Sequence, residues 1–545
     1  MKTLCRNALL ASSTETTTAS SACLVVEDDT IAYVGPEKDV PTPTKFDKIV
    51  DLDGRQVLPG FIDGHMHLLF GAGLSKIDLS QCKSLPDIRS TIAAGAASRE
   101  KTKYPRLFCS GWMHSMTDGK ALASMIDDID PDSRPIFIDA KDLHSAWCNS
   151  AALQDLDVTR ETVDPEGGSI ERDEEGNPSG LLSEAAAVTI VWPHVARVAS
   201  TDEKRGYIRD AVRAYNAAGY TGMVEMATDE NIWDVVLQLY KAEPGALSIR
   251  LAFHWIITPA KVEKDVLDQV DRAIALYKEY NKTTSPDFRI AGIKVICDGV
   301  VDACTAALTE PYSTNGASPD ALWEADILRK VVQRADAAGL QCALHAIGDA
   351  AVRLAIDALE TVKPPPGSPS RRHKIEHLEL TAPGDAARLS DLGITASIQP
   401  VHADPAILRA WPKLLGAERV KRAFAYREFV ESGANVAIGT DSPTAPHFPL
   451  RNLYTATTRR SAREPESTGV VNEGFALSLQ QAVSAATAGS AYSCFADDVA
   501  GSLEVGKKAD FVVLGEESEW DARNLLDLRV VETYFGGRRV FPSST

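Results

Sequence analysis

From about residue 219 onward the chain alternates short apolar runs with longer amphipathic stretches. The runs are GYTGMVE (219–225), SIRLAFHW ending past His254, RIAGIKVI around Lys294, LQCALH ending at His345, HKIEH ending at His377, ITASIQ ending at Gln399 and NVAIGTD ending at Asp441. Each has strand length and is bounded by turn residues. Between them, 262–280, 322–338 and 350–362 repeat apolar residues every three or four positions, which predicts amphipathic helices. An earlier apolar run, VLPGFI (57–62), leads into Asp63, Gly64, His65, Met66 and His67 and supplies an eighth strand. Strands alternating with helices predict a parallel sheet, so the fold class is α/β. A TIM-type (β/α)8 barrel fits the count, with a doubly wound open sheet as the alternative.

The pattern also divides the chain. About 150 residues separate His67 from the strand at 219, far more than a βα connection needs. A large insertion after barrel strand 1 is therefore expected at 75–205. It leaves the barrel at the face where active sites lie, so it is expected to cover the site and contribute substrate contacts. The barrel itself takes 58–74 and 206–489. Short strand-like pieces at 22–27 and 30–35, and again at 501–506, 509–514 and 530–541, are too small to form separate cores. A domain made from 1–57 and 490–545 is expected.

Composition narrows the partners. Of 545 residues, 57 are basic and 76 acidic, a formal charge of -19 that disfavours nucleic acid and anionic membrane surfaces. No apolar run reaches the roughly 18 residues of a membrane span. The start, MKTLCRNALL, is interrupted by Arg6 and Asn7 and reads as a strand rather than a signal peptide. Nine cysteines without a CxxC spacing imply reduced thiols in a cytoplasmic protein.

The candidate chemistry lies at the strand ends. Side chains two apart on a strand share a face, so His65 and His67 have the spacing a metal ion can share. Lys294, His345, His377 and Asp441 end later strands and project into the same barrel mouth. Four imidazoles, one lysine and one carboxylate can hold two metal ions if carbon dioxide converts Lys294 to an anionic carbamate. An unmodified ammonium cannot ligate a cation, which leaves a one-metal site of three histidines with Asp441 as the alternative. Lys294 could also simply pair with Asp298. His114, His194, His373 and His447 have no position in this scheme.

PGFIDGHMH resembles the first metal-binding motif of the amidohydrolase superfamily, and IKVICDG, LHAIGDAA, IEHLEL and GTDSP resemble its later ones. The resemblance implies that His65, His67 and Asp441 hold one divalent ion, and His345 and His377 a second. It implies that N6-carboxylated Lys294 bridges the two ions, with zinc the expected metal. GSLEVGKKADFVVL and IAYVG resemble recurring phrases of a small β-sandwich that both termini form in such families. HSAWCNSAAL, DPEGGSIERDEEGNPSGLLSE, TAALTEPY and SIQPVH point more closely to the amidohydrolase-3 branch, the YtcJ-like and N-substituted formamide deformylase group.

Together the ligand set and the resemblance imply a metal-dependent hydrolase in which Asp441 takes the proton of the attacking hydroxide and passes it to the leaving amine. His144, Trp147, Asn149, Gln399, His402 and Trp112 are the candidate substrate-binding residues. Trp112, Met113, Trp147 and Trp255 would form an apolar wall. The expected substrate is a small amide, an N-acyl or N-formyl amine with an apolar or aryl substituent, and a homodimer is expected. An esterase or lactonase, or a decarboxylase or deaminase on the same scaffold, is the alternative. The intact ligand set argues against a scaffold without turnover.

Overall fold

The computed structural model describes residues 1–10, 21–41, 45–68, 76–79, 81–102, 104–140, 145–165, 168–184, 186–243, 245, 247–365, 371–515 and 519–542. They divide into two compact units, one comprising 1–67, 212–229 and 247–545, the other 68–211 and 230–246.

The first unit contains eight parallel strands paired in sequence order: Phe61–Met66, Tyr220–Thr228, Arg250–Ile257, Phe288–Ile296, Gln341–Ala346, Lys374–His377, Thr395–Ile398 and Val436–Ile438. Nearly every residue of the third and fourth strands is buried, as a parallel sheet covered on both faces requires. The eighth strand returns to the first through a parallel bridge between Met66 and Ser442, and Asp441 N donates to His65 O at 2.7 Å. The result is a nearly closed TIM-like barrel. Its helices lie where the apolar spacing puts them. Glu263–Glu279 buries Val266, Val270, Ala273 and Leu276, and Ala325–Ala337 buries Leu328, Val331, Val332 and Ala335. At one end the interior is filled by Ile62, Val224, Met226 and the small residues Ala252, Ala291 and Ala343. Polar side chains are thereby collected towards the strand C-termini.

Both termini join one eight-stranded sheet in the same unit. Its order is Arg538–Phe541, Val530–Phe535, Phe511–Leu514, Gln56–Pro59, Lys2–Leu10, Ser21–Glu27 and Thr30–Gly35, with Lys48–Asp51 also paired to Lys2–Leu10.

The second unit is built on a six-stranded mixed sheet. Its order is Gly168–Arg172, Pro178–Glu184, Ser145–Cys148, Ile136–Ala140, Leu107–Trp112 and Ile77–Asp78. The helix Leu85–Ala97 begins at Ser84, whose side chain accepts from Asp87 N, and buries Ile88, Ile92 and Ala96. All nine cysteines are unpaired, and among the described residues no helix is long and apolar enough to cross a membrane.

Candidate metal centre

The first barrel strand ends at Met66, so His65 is its last inward residue and His67 follows it. His67 N donates to Ser442 O at 2.8 Å, which fixes that turn against the segment after the eighth strand. Asp63, fully buried, holds the two segments together: it accepts from His65 N at 3.2 Å, Thr440 N at 2.9 Å, Thr440 Oγ1 at 2.6 Å and Tyr215 OH at 3.1 Å. The strands approach so closely that Gly439 has no room for a side chain, since a Cβ there would sit 2.5 Å from His65 Cβ.

This packing brings His65 Nε2 to 3.3 Å and His67 Nε2 to 3.0 Å from the same oxygen, Asp441 Oδ1. Ligands about 2.0–2.2 Å from a tetrahedral metal lie roughly 3.3 Å from each other, so the three donors already have a divalent ion's coordination spacing. Burial works against ionisation of Asp441, but His65 and His67 outweigh it and hold the carboxyl well below its usual range. Burial lowers the pKa of His65, which favours the neutral imidazole a metal needs.

Behind this pocket lies a buried chain of polar contacts. His65 Nδ1 is 2.7 Å from Glu376 Oε2; with its proton there the ring donates, leaving Nε2 bare towards Asp441. Glu376 is ion-paired with Lys374 Nζ at 3.2 Å, both fully buried, and Lys374 also donates to Gly64 O. Burial raises Glu376, but Lys374 and His65 bring it well below the ordinary range. Gln399 Nε2 lies 3.4 Å from His65 Nδ1, which places this candidate substrate contact against a candidate metal ligand. Sequence reasoning missed Glu376. The available signal was KIEH, where two charges two apart in a strand share the inward face.

Beside the first pocket, the His377 ring centroid is 5.0 Å from that of His65 and 4.3 Å from that of His345. Lys294 is 2% exposed and makes no hydrogen bond or ion pair among the described residues. Burial lowers its pKa, so the neutral amine that reacts with carbon dioxide is favoured. Asp298 does not pair with it. That carboxylate accepts instead from Ile347 N, Gly348 N and Ala307 N, at 3.0, 2.8 and 3.0 Å, and burial raises its pKa to about 7. His402 Nδ1 lies 3.3 Å from Glu379 Oε1, and its Nε2 is 3.6 Å from Asp441 Oδ2.

Three expected substrate contacts are corrected. Trp112 and Trp147 are fully buried in the core of the second unit, where Trp147 Nε1 donates to Leu122 O at 3.0 Å and Trp112 Nε1 to Thr117 Oγ1 at 3.3 Å. Their apolar bodies serve packing. Asn149 caps the helix Ser150–Asp155, its Oδ1 accepting from Ala152 N at 2.8 Å and Ile136 N at 2.9 Å, so its polar atoms are engaged within the fold. Trp255, 5% exposed under Arg272, is likewise core, and Met113 alone of the expected wall is exposed. His144 lies outside the described residues. His194 faces Asp155 and His373 faces Asp336, as ordinary structural histidines do.

The chain belongs to the amidohydrolase family, whose model matches residues 48–541. It is therefore an enzyme, a metal-dependent hydrolase. It is 32% identical over 516 residues to Protein LONG AFTER FAR-RED 3 of Arabidopsis thaliana, covering 90% of this chain and 83% of that one. It is 28% identical to the putative amidohydrolase YtcJ of Bacillus subtilis (strain 168), covering 91% and 90%, and 24% identical to the N-substituted formamide deformylase of Arthrobacter pascens, covering 96% of both. These two relatives define the branch expected from the motifs. A crystal structure of an uncharacterized metal-dependent hydrolase from Pyrococcus furiosus superposes with a TM-score of 0.74 at 25% identity, covering 94% of this chain and 98% of that one.

Proposed function

We propose that the protein hydrolyses a carbon–nitrogen amide bond with two divalent ions, zinc the leading metal. His65, His67 and Asp441 would hold one ion, His345 and His377 would ligate the second, and N6-carboxylated Lys294 would bridge them. The observation that carries the reading is the convergence of His65 Nε2 and His67 Nε2 on one oxygen of Asp441. Imidazole and carboxylate donors suit zinc. Bound there, the ions supply Lewis acidity that polarises the substrate carbonyl and acidifies the attacking water. Asp441 accepts that water's proton and returns it to the leaving nitrogen, so the amine departs neutral. Glu376 keeps the His65 ring oriented while this happens. Gln399, with its amide against His65, orients the substrate.

The leading substrate is an N-formyl or N-acyl amine with an apolar or aryl substituent. Support comes from the likeness to the formamide deformylase across nearly the whole of both chains. The test is a panel of aryl and alkyl N-formyl amines, N-acyl amines, matching esters and charged dipeptides. The proposal expects the apolar amides to give the highest kcat/KM. Preference for the charged dipeptides would overturn it.

A further inference from the structure

A second group of ligand atoms lies beside the His65–His67–Asp441 set, with His402 Nε2 3.6 Å from Asp441 Oδ2. One from each of His377, Glu379 and His402 fall within 4.8 Å of one another. The backbone works to bring them together. Consecutive strand residues point to opposite faces, so Glu376 and His377 should diverge. His377 instead takes φ 77° and Leu378 φ 52°, two successive left-handed residues that break the alternation where the strand ends. Left-handed backbone is costly for these side chains and is retained where a site demands it.

The charge around this group asks for a cation. Glu379 is 6% exposed, and no lysine or arginine pairs with it among the described residues. Asp302 and Asp441 add like charge from neighbouring segments, and among the described residues the ion-pair partner of the buried Glu379 carboxylate is His402. His377 Nδ1 is buried and has no hydrogen-bond partner among the described residues. The His377 and His402 rings are nearly parallel, 7° apart with centroids at 5.9 Å, so both imidazoles flank the same place beside Glu379.

We propose that Glu379 and His402, together with His377, are ligands of the second divalent ion. The inference rests on the two-ion reading above and deepens it. It gives that ion an anionic ligand independent of the Lys294 carbamate, and it makes His402 a metal ligand instead of a substrate contact.

The test measures metal per chain by plasma mass spectrometry after zinc loading and desalting, in the wild type, Glu379→Gln, His402→Ala and His67→Ala. Circular dichroism selects folded samples. The expected result is about two ions in the wild type and about one in each variant, with Glu379→Gln and His67→Ala losing different ions. Cobalt loading separates them, because each variant should abolish a different part of the visible spectrum. Glu379→Gln and His402→Ala proteins that both keep the full wild-type complement would overturn the inference. A wild type holding a single ion would defeat the two-ion reading instead. Loss of that ion in Glu379→Gln would then still support the assignment, and its retention would overturn it.

Discussion

Metal-ligand candidates announce themselves in a sequence when a polar residue ends an apolar run, and His65, His345, His377 and Asp441 could be found that way. Their carboxylate supporters are harder to place, because Glu376 and His377 are neighbours in a strand and should face opposite ways. Only the left-handed turn at His377 and Leu378 reveals where Glu379 goes. Lys294→Ala should lower bound metal and kcat together, with partial rescue by short carboxylic acids that replace the bridging anion; a fully loaded, active variant would count against the carbamate. Lys374→Met strands the buried Glu376 carboxylate and should cost about 3–5 kcal/mol in urea unfolding, while Lys374→Met with Glu376→Gln should recover much of it. His447 gives a pH signature away from the metal. It stacks on Tyr215 at 5.2 Å, and burial lowers its pKa from 6.5 to about 4. The unfolded chain takes up this proton first, so the associated stability is full above pH 6.5 and is lost as pH falls towards 4. His447→Phe should reduce that acid lability by about 1–2 kcal/mol, after discounting for partial exposure, as read from unfolding curves across the window.

At the level of elements, the positions of the barrel strands and helices were legible because buried parallel strands and amphipathic helices leave periods of their own. The expected helix at 262–280 is Glu263–Glu279, and the expected strand at 340–345 is Gln341–Ala346. The order of the mixed sheet in the second unit was not legible. Its order depends on pairings between Ser145–Cys148 and Pro178–Glu184 that no local period encodes. The aromatic wall failed for a related reason, since tryptophans that fill a core and tryptophans that line a pocket look alike in a sequence. Closure of the barrel depends on a short element, Val436–Ile438, and on the glycine that follows it. Gly439→Ala forces a methyl against His65 and must push the first and eighth strands apart. A loss of about 1–3 kcal/mol is expected, with weaker metal retention at His65 and His67 even where the fold survives. Dialysis against a chelator, comparing metal release with the wild type, checks this.

For the whole molecule, the pairing of the two chain ends was legible from their short strands, but what anchors them to the barrel was not. One anchor is Arg250, which opens the third barrel strand and pairs with Asp510 just before the terminal strand Phe511–Leu514. Asp510 is buried and also accepts from Gly536 N at 2.8 Å, while the Arg250 guanidinium lies over the Phe535 ring at 4.7 Å. Burial raises the Asp510 pKa, and Arg250 offsets this only in part, so the carboxylate depends on its partner. A terminal sheet fastened by a buried ion pair should melt together with the barrel. Arg250→Met leaves the carboxylate without its cation and should cost about 3–5 kcal/mol, whereas Arg250→Met with Asp510→Asn should cost less than the single change. Calorimetry separates the outcomes. If the terminal sheet depends on this pair, the single variant loses stability in the transition that unfolds the barrel; a new, separate low-temperature transition would show that sheet and barrel fold independently.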